Sequence, residues 1–276
     1  MKRRRSLKLT IGDFVIPVLL ILFAITIILP LWYAFVVSIV PSHVFWQTRV
    51  LLWPSEITFT NYTAMFFMLN VQSGLTNTLF VTIVSTMYSM FLTVAFAYVM
   101  IKPIPGRRIF WMFLMTTMFF SGGLLPWYFL MVNLGLTNNI WALILPHGVN
   151  ILHVILMQSY FRTLSPEYEE SATIDGTGYI RTLWSIILPL SKPMLATIAL
   201  FVAVSGWNRW FESVMLIQRS ELWTLQHVIR HMLNMGMGPT GFQMAATFTA
   251  ILPIMCLYPF LQKYFVKGIT LGGIKG

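Results

Sequence analysis

The sequence predicts an all-α integral membrane protein with six transmembrane helices and one polar, helix-forming insert between spans four and five. Three observations carry this. Apolar residues make up 57% of the 276 residues and charged residues only 9%, far too little charge to cover a soluble surface. The apolar residues gather into runs of about 20, the length that crosses a bilayer as a helix. Those runs do not alternate, which argues against a barrel and leaves helices as the way to satisfy a backbone in lipid.

The six runs are 14–38, 77–101, 110–132, 140–160, 194–217 and 244–264. The first follows a basic head, MKRRRSLKLT. Its apolar stretch, Val15 to Val37, is longer than a signal-peptide core and no small-x-small cleavage site follows, so it reads as a retained span. With the N-terminus placed inside, Arg49, Arg209, Arg219 and Arg230 are the only four of the 18 Lys and Arg residues outside the inner segments. That asymmetry predicts both termini and the insert on the cytoplasmic side. The net charge of +10 is therefore an orientation signal and does not point to nucleic acid. A single cysteine, Cys256, excludes an internal disulfide framework and a zinc cluster of cysteines.

Two outer segments are long. The first, 40–76, carries Trp46, Trp53, Pro54 and an Asn-Tyr-Thr tripeptide at Asn61, a weak N-glycosylation match. In the second, 218–243, Leu222, Leu225, Ile229 and Leu233 recur at helical spacing and predict a short amphipathic helix.

The insert, 165–189, holds four of the eight acidic residues, three of them within four positions: Glu167, Glu169 and Glu170. Ser165 then Pro166 reads as an N-cap followed by proline at the first helical position. The three carboxylates fall in the first turns, where the helix dipole favours them. Ser171 and Ala172 are small, so that face admits a partner closely. Asp175-Gly176 is a stop, with glycine free to turn left-handed. A second run, Tyr179 to Leu188, is expected to end at Pro189.

Glu170-Ser171-Ala172, three residues, Gly176, nine residues, then Ile186-Ile187-Leu188-Pro189 resembles the coupling motif of the permease subunits of ATP-binding-cassette importers. The family's first alanine is Ser171 here, a small-for-small change. The C-terminal QKYFVKGITLGGIKG, the Asn-Tyr of the first outer segment, SGGLLP at 121–126 and WNRWF at 207–211 are similar to the maltose-type carbohydrate branch, so the resemblance covers nearly the whole chain. It implies a single permease domain over 1–276, importing oligosaccharides across a bacterial cytoplasmic membrane. It also implies a second permease subunit in a heterodimer, two ATPase subunits and an extracytoplasmic solute-binding protein. By the same resemblance Glu170, Ala172, Gly176, Ile186, Leu188 and Pro189 meet an ATPase, and the tail 265–276 reaches between the ATPase subunits; the acids Glu167, Glu169 and Asp175 and the small Ser171 of the same insert are expected at that surface too.

The remaining chemistry is sparse. The chain has no GxxxxGK phosphate loop, so ATP and Mg belong to the partner ATPase and no cofactor or catalytic residue is expected here. His227 and His231, four apart, share a helical face, but a third zinc ligand is not evident. His147 and His153, six apart, do not face each other. The 18 methionines are spread along the spans as filler. Pro146, Gly148 and Asn150 interrupt the fourth span, either as a kink lining a cavity or as a packing kink. In the fifth, Trp207, Asn208, Arg209, Trp210 and Glu212 form the candidate substrate path. Arg209 is costly in lipid and needs a partner or a wet cavity. Glu212, three residues on, can pair with it; left free, Arg209 would suit a carboxylate on an acidic sugar. Asn208 offers an amide to hydroxyls and the tryptophans offer faces to sugar rings. The alternatives are a permease for another small solute, or an ion-driven secondary transporter, for which paired intramembrane acids are lacking.

Overall fold

The apolar runs form unbroken helices where no turn-former interrupts them, and bend where glycine, proline or asparagine does. The computed structural model describes residues 11–47, 51–68 and 70–273. The basic head, Arg49 and the tail end with Lys275 lie outside the described residues. In chain order the elements are α1 (Ile11–Ser38), α2 (Ser42–Gln47), α3 (Thr60–Phe66), α4 (Val71–Ile101), α5 (Arg107–Phe119), α6 (Leu124–Asn133), α7 (Ile151–Phe161), α8 (Glu167–Ile174), α9 (Tyr179–Thr182), α10 (Leu188–Leu190), α11 (Lys192–Trp207), α12 (Phe211–Leu216), α13 (Leu225–Asn234) and α14 (Thr240–Gly273). Short 3-10 turns cover Ile140–Leu143, Leu145–His147 and Ser220–Leu222, and a π turn covers Leu183–Ile187. Every regular element among the described residues is helical.

Among the described residues three helices are long and apolar enough to cross a membrane: Phe14–Ser38, Val71–Ile101 and Thr240–Pro259. Three further candidates are bent pairs. The expected span 110–132 is α5 and α6 meeting at 112°, because Ser121-Gly122-Gly123 stops the helix: Gly123 takes φ +89° and its N–H donates to Ser121 Oγ at 3.1 Å. The expected span 140–160 is the 3-10 pair Ile140–His147 and α7, bent by 45°. There Asn150 caps α7, accepting from the His153 N–H at 3.3 Å. The third bent pair joins Tyr179–Leu190 to α11 at 85°; the expected span 194–217 itself starts at Lys192, breaks after Trp207 and resumes as α12. The second span begins at Val71 and not near Asn77. The last helix continues past 264 to Gly273; glycine weakens a helix by about 1 kcal/mol per residue but does not forbid it.

Contacts divide the chain into two units, interleaved in sequence: Met1–Met68 with Met232–Ile251, and Leu69–His231 with Leu252–Gly276. The first centres on Val36, Val37, Val40, Val44 and Leu51. Its Asn61 is 8% exposed and donates through Nδ2 to the carbonyls of Ser38 (2.9 Å) and Val40 (3.1 Å). The amide thus satisfies carbonyls left over where α1 ends, so the tripeptide there is a structural latch.

The second unit is built on α4, which packs chiefly against α11 and α7. Its buried stripe includes Gly74, Thr78, Val81, Ser85, Ser89, Thr93 and Ala97, small residues that let helices approach closely in a membrane. Each partner answers with a glycine. A Cβ on Gly206 of α11 would lie 2.9 Å from Ser85 Oγ and 3.2 Å from Thr82 Cα. One on Gly148 would lie 2.4 Å from the Tyr88 ring. The interruption in the fourth run is therefore a packing kink against α4.

Gly148→Val would drive a branched side chain into that ring, and overpacking of this kind costs about 1–3 kcal/mol. We expect a clearly lowered melting temperature of the detergent-purified chain, measured by intrinsic tryptophan fluorescence. An unchanged value would show that Tyr88 moves aside.

Candidate functional site

Two constellations expected from the sequence can be located: the polar insert and the interrupted fifth run. In the insert, α8 begins at Glu167 and its cap is Pro166, with no side-chain capping bond; Ser165 contributes its carbonyl, which accepts from the Tyr168 N–H. Gly176 takes φ +71°. Around it the Gly176 N–H donates to Thr173 O at 3.0 Å and the Thr177 N–H to Ala172 O at 2.9 Å, the bond pair of a left-handed helix stop. Thr177 and Thr182 hydroxyls, 3.1 Å apart, tie the bend to α9. The second helical run passes through Pro189 to Leu190. Proline clashes with the carbonyl four residues back; the wider π turn over Leu183–Ile187 lies just before it, and the chain turns by 85° into α11.

The face presented by the insert differs from the expectation. Ala172 is 3% exposed and so packs within the chain. Glu167, Glu170, Ser171, Asp175 and Gly176 are exposed, with Pro189, while Ile186 and Leu188 are half-buried. Large apolar side chains stand out on either side of the bend: Ile174 is 85% exposed, Ile180 77% and Trp184 60%. Only a wrong-looking hydrophobicity at these three positions signalled this patch in the sequence. Glu169 turns inward to Lys102, at the end of α4, forming a short ion pair. Burial alone would lower the Lys102 ammonium, but Glu169 and Tyr98 outweigh it and hold the group above its ordinary value.

In the fifth run the helix ends at Trp207 and restarts at Phe211. Arg209 is 4% exposed and donates to the Leu143 carbonyl in the 3-10 turn of the fourth run. No Arg209–Glu212 ion pair exists among the described residues; Glu212 Oε1 instead lies 3.5 Å from His147 Nε2. The expected pairing fails because the backbone is not helical at Asn208–Trp210, so three residues no longer return to one face. Trp207 is buried at 5%, which removes its ring from the surface. Asn208 is exposed and its amide donates to Val204 O at 2.9 Å, leaving the carbonyl oxygen outward. Trp210 is half-buried, with the Arg230 guanidinium 3.9 Å above its ring centroid. The buried Arg209 is thus a joint between two interrupted runs, and Arg230 is the accessible cation beside them.

Helix α13 buries Leu225, Val228 and Ile229, whereas Leu233 is 41% exposed; the expected stripe drifts off the face at its end. His227 and His231 both lie against the Trp223 ring, at 4.2 and 4.9 Å between centroids. His227 Nδ1 is also 3.0 Å from Ser213 Oγ. Burial, and then His231, push the His227 imidazole down to about 4. At the α5–α6 bend an open cavity of about 560 Å³ is lined by Ser121–Leu124, Pro126, Trp127 and Leu130.

This geometry is that of an all-helical protein with long apolar helices, and comparison with known proteins gives its family. The chain belongs to the binding-protein-dependent transport system inner membrane component family, whose profile matches residues 106–271. It is 37% identical to Protein LplC of Bacillus subtilis, over 92% of this chain and 90% of that one. It is 31% identical to the polygalacturonan/rhamnogalacturonan transport system permease protein YtcP of the same organism, over 96% and 98%. Among solved structures, a chain of a bacterial ABC transporter involved in the import of the acidic polysaccharide alginate superposes with a TM-score of 0.87 at 32% identity, covering 96% of this chain and all of that one.

Arg209→Gln shortens the side chain and leaves the Leu143 carbonyl unanswered, a loss of about 1–3 kcal/mol for a buried acceptor. The expected result is a less stable purified chain, read by thermal unfolding. Full stability with altered solute selection would return Arg209 to the path. A separate expectation concerns pH. Because folding suppresses His227 protonation, the unfolded chain binds more protons between its ordinary value of 6.5 and about 4. The histidine therefore costs stability as pH falls through that window and nothing above it. Melting temperature is expected to drop from pH 7 to 5, with a smaller drop in His227→Gln; equal drops would remove His227 as the cause.

Proposed function

We propose that this chain is the permease subunit of an ATP-driven importer of oligosaccharides, forming half of a translocation path and engaging an ATPase through residues 167–188. The observation that carries the reading is the insert. It ends two short helices on a left-handed glycine and exposes Ile174, Ile180 and Trp184 beside Glu167 and Glu170. Apolar side chains that stand out on a polar rim mark a protein-binding surface. Family membership supports an external binding protein and a transport role without catalysis by this chain.

The finer reading keeps the six spans 14–38, 77–101, 110–132, 140–160, 194–217 and 244–264, with both termini and the insert, Tyr179–Leu190 included, on the cytoplasmic side of a bacterial cytoplasmic membrane. The pairing of Lys102 with Glu169 supports this, because both belong to inner segments in that arrangement. The assembled importer would hold a second permease subunit and two ATPase subunits, which bind ATP and Mg. The tail 265–276 would reach between them. Oligosaccharide import is supported by the relatives named for polygalacturonan, rhamnogalacturonan and alginate. Within this chain Asn208 and Trp210, the latter covered by Arg230, are the groups of the fifth run left for a sugar, and Arg230 replaces Arg209 as the cation beside an acidic one.

Affinity-tagged chain, co-produced with its neighbouring gene products, should copurify with an ATPase. Reconstituted vesicles should then take up labelled oligogalacturonate or a neutral oligosaccharide of equal length only with ATP and binding protein present. Gly176→Val places a β-branched residue at φ +71°, a strain of about 1–2 kcal/mol. It should reduce uptake sharply while binding-protein docking persists. Uptake driven by a proton or sodium gradient without the ATPase would sink the proposal.

A further inference from the structure

Helix α4 packs against α11, α7 and the 3-10 turns at Ile140–His147 and Ser220–Leu222, and its two ends carry different loads. At the inner end Lys102 pairs with Glu169 of α8 and lies 5.1 Å from the Tyr179 ring of α9 and 4.5 Å from that of Tyr98. One side chain thus holds both helices of the insert, on either side of the Gly176 bend. The pair is shielded: the lysine side chain is 16% exposed and the glutamate 32%. At the outer end Asn77 donates through Nδ2 to the carbonyls of Glu221 (2.8 Å) and Trp223 (3.0 Å), and the Leu225 N–H donates to Thr78 Oγ1 at 2.7 Å. Gly74 admits Leu225 and Val228 so closely that a Cβ would lie 3.1 Å from Val228. The segment that follows the fifth run is thereby fastened to the first turns of α4.

Between these ends α4 is one uninterrupted helix of 31 residues, about 46 Å long at 1.5 Å per residue. It contains no proline, and its middle is keyed to α11 through Gly206 and to the fourth-run kink through Gly148. A continuous helix fastened at both ends by hydrogen bonds to carbonyls or by a shielded ion pair transmits displacement; a broken one absorbs it. The neighbouring candidate spans in this unit are all bent pairs.

We propose that α4 is the rod that carries movement between the insert and the outer 218–231 segment, with Lys102 as its inner joint and Asn77 as its outer one. This rests on the reading of the insert as the ATPase-docking element and adds the residues through which that docking is felt on the far side. Lys102 is a positioning residue: it acts through Glu169 and α4 and touches neither ATP nor solute.

The test uses the full chain purified with its ATPase in lipid nanodiscs. Cys256 is replaced by serine, and E221C introduces a thiol at the exposed outer segment while keeping the carbonyl that Asn77 grips. The rate of labelling by a maleimide is measured with and without ATP and Mg. We expect ATP to change that rate by about fivefold, the lower end of coupling between distant sites. The K102Q variant should lose the change, and the exchange K102E/E169K should restore it. A merely structural role would lower the melting temperature of the K102Q complex, so loss of the response in a K102Q complex of unchanged melting temperature marks coupling, and the charge exchange shows that the ion pair carries it. An intact complex whose K102Q form keeps the full response overturns the proposal, as does failure of the exchange to restore it in an assembled complex. Absence of any ATP effect in the parent does the same. If no ATPase copurifies with the parent chain, the reading of the insert fails, and this proposal with it.

Discussion

The contact between the Arg209 guanidinium and the Leu143 carbonyl is the point on which the architecture of the second unit turns. A helix that breaks inside a membrane releases carbonyls and N–H groups that lipid cannot satisfy. Here two interrupted runs are placed so that a side chain from one break answers a carbonyl from the other. Neither partner is stable alone: a buried guanidinium is costly without an acceptor, and a buried carbonyl without a donor. Glu212 beside His147 and the double acceptance by Asn138 Oδ1 from the Gln218 and Arg219 N–H groups, at 2.6 and 3.0 Å, extend the same seam. Asn138 can accept both because it takes φ +54°, a conformation that asparagine tolerates better than most residues.

Against this cross-braced pair, α4 supplies a straight wall. Its stripe of Gly, Ser and Thr residues brings α11 and the fourth-run kink close enough for a single added carbon to clash. Close approach gives dispersion contacts along the whole interface, each small and together substantial, and it requires no hydrophobic driving force, which lipid would not provide. The unbroken helix and the broken ones therefore depend on each other: α4 holds the kinked elements in register, and their glycines leave room for it.

Much of this was legible in advance. Apolar runs located the membrane helices, because length and hydrophobicity are properties of a segment by itself. Gly176 was legible for the same reason, since a stop after Asp175 needs only local geometry. What the chain could not disclose was anything decided by a partner from elsewhere in the sequence. Arg209 and Glu212 look paired at helical spacing, and only the break at Asn208 separates them. Ala172 looks like an open small residue until its own chain covers it. Trp207 and Trp210 look alike in WNRWF, yet one is buried and the other carries Arg230. The bends were half-legible: Ser121-Gly122-Gly123 marks an interruption, but an angle of 112° is set by what α6 packs against, Met131 with Leu143 and Leu216 among it. Leu233 missed its face because the outer helix is short enough for its last turn to leave the packing surface.

The exposed isoleucines and tryptophan of the insert carry a consequence for the life of the chain before assembly. Ile174, Ile180 and Trp184 are more than half exposed, and none of the described residues covers them. A newly made copy that waits without its partner displays the kind of surface that chaperones hold and membrane proteases cut. In the importer proposed above, its abundance would follow the supply of the subunit that covers the patch, and the stoichiometry of the complex would be set by survival as much as by synthesis.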